Sequence, residues 1–137
     1  MKKYIFLVAV FTIGSTYAQQ IDYNVKGGAI ANGYDVVSYF SNAPQKGSKE
    51  FATTYDGAKF LFSSEKNLLQ FKANPKKYVP QYGGYCAYAV GSNSTKVKVN
   101  PETYEIKNGK LYLFYNALGT NTLELWNKEG AEQLRKK

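Results

Sequence analysis

The chain has 137 residues, with 18 Lys+Arg against 10 Asp+Glu, no histidine, one cysteine and one methionine. Its 44% hydrophobic and 16% aromatic content belongs to a folded chain of one-domain size, not a disordered one. These counts exclude histidine-based triads, Cys–His pairs and HExxH zinc sites, and a lone thiol excludes an internal disulfide, a CxxC redox pair and a four-thiolate metal site.

The chain opens like an export signal. Met1-Lys2-Lys3 is a short basic start, Tyr4 to Ile13 is a mostly apolar run, and Thr16 and Ala18 supply the small residues of a cleavage site. A helix needs about 20 apolar residues to cross a bilayer, so this run is too short to be an anchor. Residues 1–18 are expected to be a Sec-type signal peptide and 19–137 a single domain, exported to the periplasm or secreted. No membrane span should remain after the signal is removed. Removing 18 of 137 residues leaves 119, a length that buries about two thirds of its unfolded surface without disulfide staples. The lysines scatter from Lys26 to Lys137, and Arg135 is the only arginine. Bidentate readout of bases or phosphates therefore has little to work with, and nucleic acid is not an expected partner.

Beyond the signal, Ile21–Val25 reads as a short strand that Gly27-Gly28 breaks. Residues 29–40 mix turn residues with an apolar and aromatic run, and 41–50 reads as loop. Phe51–Tyr55 and Ala58–Phe62 flank Asp56-Gly57, the signature of a hairpin whose type I′ turn needs positive φ at both central positions. Ser63 or Ser64 can cap a helix through Asn74, with Leu68, Leu69 and Phe71 inward, and Pro75 can start a short second helix to Val79. Residues 91–95 read as loop and 96–99 as a short alternating run. Asn108-Gly109 marks a second hairpin, 104–107 with 110–115. Its last strand is apolar on both faces and is expected to be central. Asn121 or Thr122 can cap a C-terminal helix to Leu134, with Leu123, Trp126, Ala131 and Leu134 inward. No internal repeat, low-complexity segment or linker is evident. The expected fold is α+β: an antiparallel sheet of hairpins, a short central helix pair and a C-terminal helix.

Three separated motifs carry a family resemblance. Tyr34-Asp35-Val36-Val37-Ser38-Tyr39-Phe40 is similar to the opening of exported YHS-domain proteins. Residues 51–78 resemble the body of the YHS domain, and Pro80 to Val90 (PQYGGYCAYAV) resembles the segment that follows it. Together the match spans about residues 29–115. The resemblance implies a degenerate treble-clef arrangement, because the cysteines of metal-associated YHS domains fall here on Ser38, Ser63 and Asn67, and the histidine on Asp56. A structural zinc needs three or four good ligands, and copper(I) needs soft ones. No complete zinc or copper site is therefore expected and the cofactor is unknown. A hard cation on Asp22, Asp35 or Asp56 is conceivable, without calcium-loop spacing.

One residue stands out as a candidate for chemistry. Cys86 sits behind Gly83-Gly84 and among Tyr82, Tyr85 and Tyr88, where the glycines allow close approach and the rings offer π faces. The resemblance implies a reactive sulfur, since the matching position is selenocysteine in some exported members. The residue-level alternative is a buried structural thiol. Activation would call on Lys76, Lys77 or Lys96. The expected ligand site is Cys86, Tyr82, Gly83, Gly84, Tyr85 and Tyr88, joined by Tyr34, Asp35 and Tyr39 from the opening motif. The leading function is a non-catalytic, exported binding module with an aromatic pocket for a small ligand or metal species. The alternatives are a thiol redox enzyme using Cys86 with an external thiol partner, and a structural or interaction protein.

Overall fold

Two turns with paired positive φ organise the molecule. The computed structural model describes Ala9 and residues 21–136, so the signal-peptide reading and its cleavage site lie outside the described residues apart from Ala9. Asp56-Gly57 adopts φ +50° and +80°, and Asn108-Gly109 adopts +51° and +73°. Each closes an antiparallel hairpin, as the turn chemistry predicts. The first joins β1 (Ser48–Tyr55) to β2 (Ala58–Phe62), and the second joins β3 (Asn100–Lys107) to β4 (Lys110–Phe114).

The two hairpins are copies of one another in register. Ser48 faces Phe62 and Ala52 faces Leu61 in the first; Asn100 faces Phe114 and Tyr104 faces Leu113 in the second. Every pair recurs 52 residues on, including the irregularity that bends the longer strand. This is an internal structural repeat where the sequence shows none. Over these hairpins only Glu50/Glu102, Gly57/Gly109, Leu61/Leu113 and Phe62/Phe114 coincide in identity at that spacing.

A helix follows each copy. Ser64 accepts a hydrogen bond from Asn67 N at 3.1 Å and caps α1 (Glu65–Ala73), and Pro75 starts α2 (Pro75–Tyr78). After the second hairpin comes a third, β5 (Asn116–Ala117) with β6 (Thr120–Asn121), which the sequence did not announce. Asn121 then caps α4 (Thr122–Glu129) through Leu123 N. The expected single C-terminal helix is broken at Gly130, φ +88°, and α5 (Ala131–Arg135) changes direction there.

Other expectations need correction. Ile21–Val25 is an extended lead without strand pairing, and residues 26–41 are three short 3-10 turns. Strand β1 already begins within the segment read as loop. Residues 96–99 form no strand. Leu69 is more than half exposed, so Phe71, with the half-buried Leu68 packed against the main core, anchors α1. The helix α3 (Ala87–Asn93) runs into the expected loop. Gly91 permits that close packing, because a Cβ there would lie 3.0 Å from the Leu134 carbonyl oxygen.

Strand β4 is buried on both faces, yet it pairs only with β3. Two cores, not two flanking strands, supply the cover. Leu111 and Leu113 join the main cluster with Phe60, Phe62 and Phe71, while Tyr112 and Phe114 join a second cluster with Trp126, Ala131 and Leu134. The result is a small α+β fold of antiparallel hairpins with helices, the C-terminal one included. No helix among the described residues is long and apolar enough to cross a membrane.

Candidate functional site

The three positions that the resemblance links to cysteines converge on one carboxylate. Asp35 is fully buried. One of its oxygens accepts from Val37 N (2.9 Å) and Ser38 N (3.3 Å). The other accepts from Ser63 N (2.9 Å), Ser63 Oγ (2.7 Å) and Asn67 Nδ2 (2.7 Å). The Ser38 hydroxyl donates to the Asp35 carbonyl and accepts from Gln45 N. Five donors and no acceptor face the side chain, the pattern an ionised carboxylate needs. Asp35 thus ties the opening motif to the exit of β2 and the start of α1. The donor set is hydroxyl, amide and backbone N–H, without a thiolate or imidazole, so it does not fit zinc or copper(I). Among the described residues no three His, Cys, Asp or Glu side chains group as metal ligands. Asp56, at the position matching the histidine, lies at the hairpin tip and accepts from Tyr23 Oη at 2.8 Å.

Cys86 lies in the core. It is fully buried ahead of α3, its N–H donates to the Val97 carbonyl, and its Sγ lies 3.2 Å from Thr122 Oγ1. The Thr122 hydroxyl donates to the Tyr115 carbonyl at 2.7 Å, which commits its only proton. The thiol is therefore the donor in the Cys86–Thr122 contact. Two of the three lysines offered as activators are engaged elsewhere, and the third, Lys76, lines a cleft that Cys86 does not line. Lys96 pairs with Asp22, and the Lys77 ammonium lies 5.2 Å from the centre of the Tyr78 ring.

The remaining expected residues each have hydrogen-bond or packing partners of their own. Tyr39 is buried, stacks edge-on against Tyr104 and donates to the Pro101 carbonyl; Tyr34 donates to Glu102. Both join the opening motif to β3. Tyr88 donates to Glu129 of α4. Tyr85 and Tyr82 line a shallow recess beside Lys96, and Tyr82 with Gly83 turns toward a larger cleft.

That cleft has a volume of about 830 Å³. Its walls come from four segments: Ile21 and Tyr23 of the lead, Tyr55 and Asp56 of the hairpin tip, Lys76 and Val79 beside α2, and the turn Pro80–Gly83. The lead is held in place by its backbone. Asn24 N donates to the Gly83 carbonyl at 2.8 Å, and a Cβ on Gly83 would meet the Asp22 carbonyl oxygen at 2.5 Å. Only glycine lets the two segments approach this closely. Tyr82 holds φ +56° without being glycine, a conformation of the kind that gathers at ligand sites. Its ring lies against Tyr112. Burial, reinforced by the hydrogen bond to Asp56, raises the Tyr23 phenol well above its ordinary pKa, so its O–H stays a donor to that carboxylate. Asp56 and Lys76 form no ion pair. Tyr23, Tyr55, Asp56, Lys76 and Val79 line this cleft together, a grouping that sequence reasoning missed. The turn signal at Asp56-Gly57 was visible, but nothing local marks four separated segments as neighbours.

Residues 41–82 match the family model of the YHS domain, which takes in the first hairpin, α1, α2 and most of the cleft wall. No curated protein and no solved structure matches the chain.

Proposed function

Because residues 41–82 of this chain form a YHS domain, we propose that the protein is an exported, non-catalytic binding module that holds a small ligand in the cleft between its lead and its YHS body. The observation that carries this reading is the lining of the cleft. A space of about 830 Å³ combines apolar and tyrosine walls with one carboxylate and one ammonium that have no ion-pair partner among the described residues. Apolar walls with few polar groups are the usual make-up of a small-molecule site. Export rests on the basic start, apolar run and Thr16-x-Ala18 signature. Cys86 does not line the cleft. A thiol that is fully buried and donates to Thr122 lacks the exposure and cationic surroundings of a reactive cysteine, which weighs against the redox alternative.

Chemical-shift mapping on the purified protein tests the reading, using a mixture of small aromatic and aliphatic compounds. Shifts should cluster at Tyr23, Tyr55, Val79 and Tyr82, and Val79→Trp, which fills the cleft, should abolish them. Shifts confined to the surroundings of Cys86 or Tyr39, or none at all, would overturn it.

A further inference from the structure

The charges in the cleft define its ligand more narrowly. Asp56 uses one carboxylate oxygen for the Tyr23 hydroxyl, while the other has no hydrogen-bond partner among the described residues. Lys76 is exposed and forms no ion pair among the described residues. The same cleft is lined by Tyr23, Tyr55, Tyr82 and Val79. We infer that the occupant is an apolar zwitterion, a free aromatic amino acid or a short peptide with both ends unblocked, with its ammonium at Asp56 and its carboxylate at Lys76. This rests on the cleft being the ligand site.

The inference follows from eliminating the other charge types. A polyanion such as a phosphate ester would find one lysine, no arginine and a repelling carboxylate. The only arginine, Arg135, lies over Tyr112 and Trp126 instead. An organic cation would suit Asp56 and the tyrosine faces but would leave Lys76 facing it. A wholly neutral ligand would strip water from both charges and pair neither. A zwitterion satisfies each charge with its opposite, and an ammonium brings three donors to an oxygen that has none.

The test titrates the purified protein with the dipeptide Phe-Phe in four forms: unblocked, N-acetylated, C-amidated and doubly blocked. The unblocked form should bind about tenfold more tightly than either singly blocked form, the scale of one partly exposed ion pair. Asp56→Asn should weaken the unblocked dipeptide to the level of the N-acetylated one while leaving the N-acetylated form unchanged. Lys76→Gln should do the same at the carboxylate end. Asparagine suits the turn, since Asn108 holds the same place in the second hairpin at φ +51°. Equal binding of all four forms, tightest binding of the doubly blocked form, or no binding of the unblocked form would overturn the inference. Neutral indole separates the two levels. If indole shifts the cleft tyrosines while the unblocked dipeptide fails, the binding module stands and the zwitterion falls; if neither binds, both fall.

Discussion

The two hairpin–helix units share one register and one packing device but are fastened by opposite chemistry. In the first, the α1 residue Phe71 lies against Phe60 and Phe62 of β2, with ring centres 4.7 and 5.1 Å away. In the second, the α4 residue Trp126 lies against Tyr112 and Phe114 of β4, at 5.7 and 5.5 Å. Positions 60 and 62 correspond to 112 and 114 in the repeat. The opening motif is then bolted to the first unit by the buried carboxylate of Asp35, with five donors. The second unit has no such hub. Its fastening is aromatic packing, the Trp126 Nε1 bond to Glu105 at 2.9 Å, and the chain from Cys86 through Thr122 to the Tyr115 carbonyl. The comparison teaches that hairpin geometry is set by backbone rules alone: an X-Gly turn and one bulge. How the helix is secured is free to vary.

The largest effects come from breaking each fastening. Asp35→Ala should cost about 4 kcal/mol, because it strands five buried or half-buried donors. The loss should appear in chemical denaturation, with early hydrogen exchange at 38–41 and at the start of α1. Trp126→Ala should cost about 3–4 kcal/mol by emptying the second cluster. Asp35 and Trp126 share no hydrogen-bond partner, so the double variant should lose the sum to within about 0.5 kcal/mol. A strongly non-additive double variant would show that the two units fold as one fastening.

Much of this architecture was legible, and the reasons differ by element. Asp56-Gly57, Asn108-Gly109 and the caps Ser64 and Asn121 each act within a few residues, so local chemistry exposed them. The repeat was hidden because register depends on backbone spacing, whereas only four positions kept their identity. Gly130 was read through because the apolar spacing of Trp126, Ala131 and Leu134 continues past it. Asp35 and Tyr39 were expected in the ligand site; the partners that fasten them to the rest of the fold, Ser63 and Asn67 for Asp35 and Pro101 for Tyr39, lie 28 to 62 residues away, out of reach of any local signal. The cleft was least legible of all, since its walls meet only after the lead docks on Gly83.

Smaller effects probe the bolts between the units. Cys86→Ser should cost about 2 kcal/mol, since a shorter, more polar side chain replaces a packed thiol. The native thiol should react with a labelling reagent only at the rate of unfolding. Rapid labelling with an unchanged melting temperature would return Cys86 to the list of reactive groups. Tyr39→Phe removes one hydrogen bond to Pro101 and should cost about 1 kcal/mol at neutral pH. Its larger signature is alkaline. Burial, then the neighbouring Tyr34, Tyr104, Glu102 and Asp35, raise the Tyr39 pKa in the folded state. An acid with a raised folded pKa contributes stability that is intact below its unfolded value, near pH 10. That stability is lost as pH climbs toward the folded value, because the unfolded chain ionises first. The wild type should therefore lose stability steeply above about pH 10, and Tyr39→Phe should flatten that slope. An identical slope in both would assign the alkaline loss to other tyrosines.

The smallest effect has the opposite sign and comes from the third turn. Leu118-Gly119 repeats the paired positive φ of the other two, at +51° and +78°, yet its first residue is neither aspartate nor asparagine. A leucine in the left-handed region presses its Cβ toward the following carbonyl, at a cost of about 1 kcal/mol that asparagine largely escapes through local hydrogen bonding. Nothing offsets that cost by burial, because Leu118 is 97% exposed. Leu118→Asn should thus stabilise the protein by about 0.5–1 kcal/mol, seen as a higher urea midpoint with an unchanged slope. Asp56→Leu, which installs the same strain in the first hairpin, should destabilise by a similar amount beyond the loss of its bond to Tyr23. A Leu118→Asn variant that melts lower would mean that an αL leucine is not the strained element of this turn. The three hairpins would then differ in more than the residue ahead of the glycine.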